Sequence, residues 1–215
     1  SRPHPRPVPL ALHATAPHTL WRVRWSRDGT RLAAGSANGN VHVWSGDPRR
    51  PRDLEQRTLP HTPSVHVRGL AFGRDGRLAT GDEAGHLRLF DPATGALDRQ
   101  LVPETRIGAV LAMTWVSGGR VAVGTTSGRV VLWNPTAQTL EDLVMPTTVR
   151  DVRALATSAD GDKLLVGFTS DHETAGLLHV DLATGTHAQV GPPHETAVWD
   201  ADWNNARGLL ATADN

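Results

Sequence analysis

Short apolar segments separated by small polar turns repeat along the chain. Residues 28–44 (DGTRLAAGSANGNVHVW) contain a turn, an apolar segment that ends in glycine, a second turn and an alternating apolar segment. The same order returns at residues 75–90, at residues 118–133 and, with a longer second turn, at residues 160–180. The glycines that end the apolar segments are spaced 46, 43 and 43 residues apart, at Gly35, Gly81, Gly124 and Gly167. This regularity predicts an internal repeat.

Each repeat contains two further segments, which complete a predicted set of four β-strands. One segment precedes the first turn and ends, in successive copies, in Trp25, Phe72, Trp115, Thr157 and Trp203. The other follows the alternating segment and mixes leucine and valine with charged residues, as an exposed edge strand does. Four strands of this length cannot bury both faces of a sheet alone, so neighbouring copies must stack face to face. No segment has the sustained apolar period of a helix, so little or no helix is expected.

A repeat of this length with four strands resembles the WD40 repeat. The resemblance rests on the Asp-Gly turns at 28–29 and 75–76, on the strands at 32–35 and 78–81, and on the strand ends Trp44-Ser45, Phe90-Asp91 and Trp133-Asn134. It covers residues 15–215 and implies an all-β fold, a β-propeller of four-stranded antiparallel blades. The expected blades lie at about residues 15–60, 61–103, 104–145 and 146–191, with part of a fifth blade at 192–215.

The two ends of the sequence do not complete a blade. Residues 192–215 supply only the first two strands of a fifth copy, whereas residues 1–14 are rich in proline and are expected to form a linker. Within this linker, residues 7–12 (PVPLAL) are expected to form an outer strand of the closing blade. Propellers of the WD40 type usually close at about seven blades. We therefore expect an open arc that is a fragment of a larger protein, with other domains of the same polypeptide among its partners.

The sequence departs from the WD40 pattern at a buried polar network. Blades of this family commonly hold their shape with hydrogen bonds among Trp, Ser or Thr, His and a turn Asp. The turn position here holds Asn38, Ala84, Ser127 and Ala175. Because a buried polar network is stable only when every member is satisfied, these replacements predict blades held mainly by apolar packing. The aromatic and histidine positions expected to support the repeat are Trp25, Trp44, Phe72, Phe90, Trp115, Trp133, His194 and Trp203.

The resemblance also implies a docking surface at the top of the central channel. The matching positions lie near the start of each innermost strand and are Trp21, Arg68, Leu111, Arg153 and Trp199. Tryptophan and arginine are enriched among residues that dominate binding energy. The function expected from the resemblance is therefore a scaffold that binds a protein or peptide on its top face. The structural alternative is that the tryptophans pack between blades and the arginines are solvated.

Composition excludes several classes of chemistry. The chain has no cysteine, which excludes disulfides, thiolate metal sites and cysteine nucleophiles. Lysine plus arginine number 22, as do aspartate plus glutamate, and this balance does not favour nucleic acid as a partner. The basic, proline-rich segments 1–7 and 47–52 lack the interleaved aromatics of a base-stacking surface. No apolar run is long enough to span a membrane.

Candidate catalytic or metal-binding motifs are equally scarce. No Gly-x-Ser-x-Gly elbow or phosphate-binding glycine loop occurs. The inserted turn at residues 171–176 (DHETAG) lacks metal-ligand spacing and is expected to be a surface loop. Dispersed histidines such as His42 and His86 are expected to point outward. We therefore expect no enzyme activity, no cofactor and no metal.

Two other functions remain open from the sequence. The first alternative is a propeller-fold enzyme or small-molecule binder that uses the central channel, which would require several convergent His, Asp or Glu side chains at the channel mouth. The second alternative is nucleic-acid binding, which would weaken steeply with salt. The strong preference for arginine over lysine indicates a GC-rich bacterial source, and a cytoplasmic location is expected.

Overall fold

The fold consists of β-strands joined by short turns. The computed structural model describes residues 18–47, 49–50, 53–103, 107–170, 175–204 and 209–213. One short 3₁₀ turn, Ser117–Gly119, lies among these residues. The strands are β1 (Leu20–Trp25), β2 (Arg31–Ser36), β3 (Asn40–Ser45), β4 (Glu55–Pro60), β5 (Val67–Phe72), β6 (Leu78–Asp82), β7 (Leu87–Phe90), β8 (Leu97–Leu101), β9 (Val110–Val116), β10 (Arg120–Thr125), β11 (Val130–Asn134), β12 (Thr139–Leu143), β13 (Val149–Thr157), β14 (Lys163–Ser170), β15 (Ala175–Asp181), β16 (His187–Gln189), β17 (Asp200–Asn204) and β18 (Leu209–Ala213).

The strands form four four-stranded antiparallel sheets and one two-stranded sheet, each in chain order. We call these sheets blade 1 (β1–β4), blade 2 (β5–β8), blade 3 (β9–β12), blade 4 (β13–β16) and blade 5 (β17–β18). The first strand of each blade packs against the first strand of the next, from β1 through β5, β9 and β13 to β17. The all-β, open-arc propeller expected from the sequence is confirmed. The expected linker and outer strand at residues 1–14 lie outside the described residues.

The Asp-Gly turns between first and second strands are held by local hydrogen bonds. In blade 1, the Asp28 carboxylate accepts hydrogen bonds from the Ser26 hydroxyl at 2.6 Å and from the Thr30 amide at 3.0 Å. These bonds lower the pKa of Asp28 to about 2. Gly29 follows with a φ of 69°, a left-handed conformation that glycine adopts without steric cost. The turn residues quoted from the sequence therefore fix the first hairpin of the blade.

Apolar residues are buried between neighbouring sheets. Between blades 1 and 2, Val41 and Leu59 of one sheet pack against Leu70 and Phe90 of the other. Equivalent clusters lie between blades 2 and 3, between blades 3 and 4, and between blades 4 and 5. Each sheet therefore buries its faces only by stacking on its neighbours, as expected for a repeat unit too thin to fold alone.

The recurrent glycine marks the closest approach between blades. A Cβ atom added at Gly35 would lie 2.3 Å from the main-chain oxygen of Val67 in the next blade. A Cβ added at Gly124 would lie 2.5 Å from the Val152 side chain. These distances are too short for any side chain, so the repeat spacing of the glycines reflects the spacing of the blade junctions.

The aromatic repeat positions occupy two environments. At the ends of the third strands, Trp44, Phe90 and Trp133 are buried, with exposures of 5%, 1% and 0%. At the ends of the first strands, Phe72, Trp115 and Trp203 are half-buried. The Trp115 indole donates a hydrogen bond to the Ala71 main-chain oxygen of the preceding blade at 2.9 Å. Trp25 is 48% exposed, because no described blade precedes blade 1. The remaining position, His194, pairs through its main chain with Ala175.

Blade 2 retains a buried polar network in addition to the apolar packing expected from the sequence. The Asp82 carboxylate lies 3.0 Å from Nδ1 of His61 and 3.1 Å from Nδ1 of His86, and the side chains of Asp82 and His61 are fully buried. The main-chain amides of Ala84 and His86 also donate to Asp82, at 3.0 and 2.9 Å. The network was missed because Asp82 precedes the expected turn position by two residues.

Of the two histidines expected to point outward, His42 is buried and His86 is half-buried. His42 is 5% exposed, and burial lowers its pKa. His86 contacts Asp82 and the Thr62 hydroxyl, the latter at 3.0 Å. Alternation along a strand decides which face a residue lies on, but in a propeller both faces of a sheet can be covered by neighbouring sheets.

Candidate functional site

Four of the five expected docking positions coincide with β-bulges. In blade 1, Leu20 pairs with Ser36 and Arg22 pairs with Gly35, so Trp21 has no partner of its own. The pairing register shifts by one residue at the equivalent place in blades 2, 3 and 4. The residues skipped there are Arg68, Leu111 and Arg153. A bulge releases one residue from the ladder and re-aims its side chain. The local geometry therefore turns these side chains away from the sheet.

The first pair of docking residues stacks between blades 1 and 2. The Arg68 guanidinium lies 4.0 Å from the centre of the Trp21 ring, within cation–π distance. The His66 ring lies 5.4 Å from the same indole. Trp21 remains 43% exposed. The indole is therefore held in place by Arg68 of β5 and by His66, which directly precedes β5. Much of the indole surface still faces solvent.

Glu83 fixes the two side chains that hold Trp21. Its carboxylate lies 2.8 Å from Nε of Arg68 and 3.1 Å from Nδ1 of His66. The Glu83 amide also donates to the main-chain oxygen of His66 at 2.9 Å. Sequence reasoning missed both His66 and Glu83, because nothing in the repeat pattern indicates that the β6–β7 turn meets the start of β5.

The second pair stacks between blades 4 and 5. The Arg153 guanidinium lies 4.6 Å from the centre of the Trp199 ring. Arg153 also forms an ion pair with Asp151 on its own strand. Trp199, like Trp21, is 43% exposed. The same combination of an exposed indole, a stacked guanidinium and an adjacent carboxylate thus occurs twice.

Leu111 differs from the other four positions. It is 4% exposed, so its side chain does not contribute to an exposed surface, contrary to expectation. Its main-chain oxygen accepts a hydrogen bond from Nη2 of Arg22 at 3.2 Å. Because the first strands follow one another around the arc, the order at the channel mouth is Trp21, Arg68, Leu111, Arg153, Trp199. Two Trp–Arg pairs therefore flank a buried leucine.

Below the channel mouth, charged side chains of the first and last blades meet. Asp200 lies 3.1 Å from Nη1 of Arg22 and 2.9 Å from Nη2 of Arg24. Burial lowers the pKa of Arg22. Burial raises the pKa of the Asp200 carboxyl, but the hydrogen bonds and charge of Arg24, with the charge of Arg22, outweigh this effect and the pKa lies below its usual range.

Two cavities lie near this arrangement. A cavity of about 380 Å³ adjoins the first pair and is lined by Ser64, Val65, Gly108 and Ala109 together with His66 and Glu83. A second cavity, of about 1010 Å³, lies at the opposite ends of the first strands, where Trp25, Trp115 and Trp203 line it. The smaller cavity therefore adjoins the side chains that contact the first pair, whereas Arg24 and Asp200 of the ion pairs line the larger one.

The site lacks the donor set of a metal centre. Across the described ranges, no group of three or more His, Asp or Glu side chains is arranged to hold a metal ion. The inserted turn with His172 and Glu173 lies outside these ranges. Among the same residues, no helix is long and apolar enough to cross a membrane.

Comparisons with known proteins agree with this fold. A family model described as "WD domain, G-beta repeat" matches residues 11–45. Among solved structures, the chain is similar to one in "Crystal Structure of Mitotic Checkpoint Complex", with a TM-score of 0.69, 17% identity, and coverage of 94% of this chain and 73% of that chain. At this identity the similarity shows the fold alone. No curated protein sequence matches. The resemblance to WD40-repeat β-propellers inferred from the sequence is confirmed.

Proposed function

We propose that the chain is a protein-interaction scaffold whose channel mouth docks an extended peptide segment of a partner protein. The observation that carries this proposal is the pair of exposed tryptophans, each 43% exposed and each stacked on an arginine. Tryptophan and arginine side chains held rigidly before binding lose little conformational freedom when a partner covers them. The two pairs therefore serve as the anchors of the docking surface.

The surroundings of the anchors favour docking over catalysis at the mouth. Glu83 is engaged by Arg68 and His66, and Asp151 is engaged by Arg153. Carboxylates engaged in this way position arginine and are not arranged as an acid–base pair. The cavity of about 380 Å³ beside His66 and Glu83 is large enough for a partner side chain. The similar solved chain comes from a structure whose title describes a complex, and this also supports a scaffold role.

Selection of peptides on the purified chain tests the proposal. Peptides from a random library displayed on phage are selected on the wild-type chain, and their Kd values are measured for Trp21→Ala and Trp199→Ala. We expect each variant to weaken binding at least tenfold, as loss of a binding hot spot does, which corresponds to about 1.4 kcal/mol.

Trp25→Ala is the matched control, because Trp25 lies on the same strand as Trp21, is 48% exposed, and sits at the opposite end of the channel. Selected peptides that bind Trp21→Ala and Trp199→Ala as well as the wild type would refute docking at the mouth.

A cytoplasmic location stays a prediction, which fractionation of cells that express the tagged chain would test.

A further inference from the structure

One guanidinium connects four of the five blades at the channel. Nη2 of Arg22 donates to the main-chain oxygens of Leu111 at 3.2 Å and Arg153 at 2.9 Å. Nη1 of Arg22 lies 3.4 Å from the main-chain oxygen of Trp199 and 3.1 Å from the Asp200 carboxylate. The side chain is 15% exposed. Arg22 of blade 1 is thus bonded to blades 3, 4 and 5.

The three carbonyl groups that Arg22 contacts belong to three of the five docking positions. A fourth docking position, Trp21, is its neighbour in the chain. The register places Gly69, Ala112 and Ala154 at the equivalent positions of blades 2, 3 and 4, so no side chain longer than a methyl group occurs there. The equivalent position of blade 5 is Asp200, whose charge balances that of Arg22.

The planar guanidinium is the group that suits this arrangement. Its five N–H donors lie in a fixed fork and satisfy several acceptors at once, whereas the ammonium of lysine is a compact point charge. Because the guanidinium is largely buried, its hydrogen bonds to the main-chain oxygens are only weakly screened by solvent, whereas its ion-pair partner Asp200 is 44% exposed. Arg22 therefore constrains the relative positions of the two Trp–Arg pairs more strongly than a surface ion pair would.

We propose that Arg22 is a positioning residue that fixes the distance between the Trp21–Arg68 and Arg153–Trp199 pairs, so that the docking surface recognises one continuous segment that contacts both. The inference about the partner rests on the proposed function, whereas the positioning role does not. A segment that contacts both pairs gains affinity from the second contact only when the separation matches its length. Arg22 sets that separation without touching the partner.

Fluorine NMR tests the positioning role directly. The chain contains seven tryptophans, and 5-fluorotryptophan labelling gives each a resonance that single Trp→Phe variants assign. In Arg22→Ala we expect the Trp199 resonance to shift, although the two residues lie 177 positions apart, while that of buried Trp133 stays unchanged. Millimolar guanidinium should restore the Trp199 resonance, and the same concentration of sodium chloride should not.

Arg99→Ala is the control, because Arg99 is exposed on the outer strand of blade 2 and contacts only its neighbour Asp98 among the contacts described. If Arg22→Ala does not fold, the Trp199 resonance is measured in Arg22→Lys instead, since lysine keeps the positive charge near Asp200 but lacks the planar set of guanidinium N–H donors. A folded variant whose Trp199 resonance is unmoved, or moves as it does in Arg99→Ala, overturns the positioning role.

A selected peptide and its two halves test the inference about the partner. Arg22→Lys should raise the Kd of the full peptide about tenfold or more, because the second contact loses its effective concentration. Each half contacts one pair and should bind the variant as it binds the wild type. An equal effect on full and half peptides overturns the inference of one continuous segment and leaves docking intact, whereas selected peptides insensitive to Trp21→Ala and Trp199→Ala overturn the proposed function itself.

Discussion

Replacement of Asp82 by alanine should destabilise the chain far more than the equivalent change in another blade. The carboxylate is fully buried and accepts from two histidine rings and two main-chain amides at 2.9 to 3.1 Å. Removal of one partner from a buried charged network typically costs about 3–5 kcal/mol, because the donors left behind are buried and unpaired. For a domain whose total stability is about 5–15 kcal/mol, this is a large fraction.

The matched control is Thr125→Ala in blade 3. Thr125 occupies the register position of Asp82, is equally buried, and makes neutral hydrogen bonds with Ser127 at 2.9 Å and with the Arg129 main-chain oxygen at 3.1 Å. Loss of neutral bonds typically costs about 1 kcal/mol. The difference between the two variants therefore isolates the charged network from the effect of a cavity at this position.

Urea denaturation followed by tryptophan fluorescence measures both changes. With a slope of about 2 kcal/mol per molar urea, Asp82→Ala should lower the midpoint by about 2 M and Thr125→Ala by about 0.5 M, with unchanged slopes. Equal midpoints for the two variants would refute the reasoning, because the carboxylate would then contribute no more than a hydroxyl.

The pH dependence of stability follows from the same network. Burial raises the pKa of Asp82, but hydrogen bonds from His61, from Thr62 and from the His86 amide outweigh burial and hold this pKa well below its usual range. The contribution of Asp82 is therefore complete above pH 4 and is lost as pH falls through its folded pKa. Burial lowers the pKa of His61, so the unfolded chain binds a proton first and stability declines as pH falls below about 6.5.

Three further changes test other parts of the structure. Gly35→Ala should cost about 1–3 kcal/mol in urea denaturation, because its Cβ would lie 2.3 Å from the Val67 main-chain oxygen. Trp133→Phe should change stability by less than about 1 kcal/mol despite full burial, because removal of an indole N–H that has no hydrogen-bond partner among the described residues offsets the cavity left behind; a larger loss would refute this compensation. Asp200→Asn should reduce the loss of stability below about pH 4, because Asp200 has a lowered pKa in the folded chain. Thermal unfolding across pH measures this loss, and an equal loss in the variant and the wild type would show that the ion pairs of Asp200 do not contribute to stability.

The repeat and the blade order were predictable because they depend on local patterns. The spacing of Gly35, Gly81 and their equivalents follows from the distance between blade junctions, and each turn is fixed by residues within it. The positions proposed for docking were identified by register alone. Their stacking partners from the neighbouring blade, Arg68 for Trp21 and Arg153 for Trp199, were already among them.

The contacts that the sequence did not reveal join segments that are distant in the repeat unit. Glu83 meets His66 because the β6–β7 turn of blade 2 folds back on the approach to β5. Arg22 meets Leu111 and Arg153 because three first strands converge on the channel. A periodic pattern defines which strands pair, but the distance between side chains of different blades depends on how all of the blades pack together.

The bulges explain why this architecture can carry a docking surface at all. A residue paired within the first strand must fit among the neighbouring blades, where a long polar side chain such as that of Arg22 is buried and needs partners from other blades. The bulge releases one residue from the ladder in each of blades 1 to 4 and so provides a ring of positions outside the stacking faces. Tryptophan, arginine and leucine all occur at these positions, and the register shift is present in each of the four blades. The bulged positions therefore accept side chains that differ in size and charge.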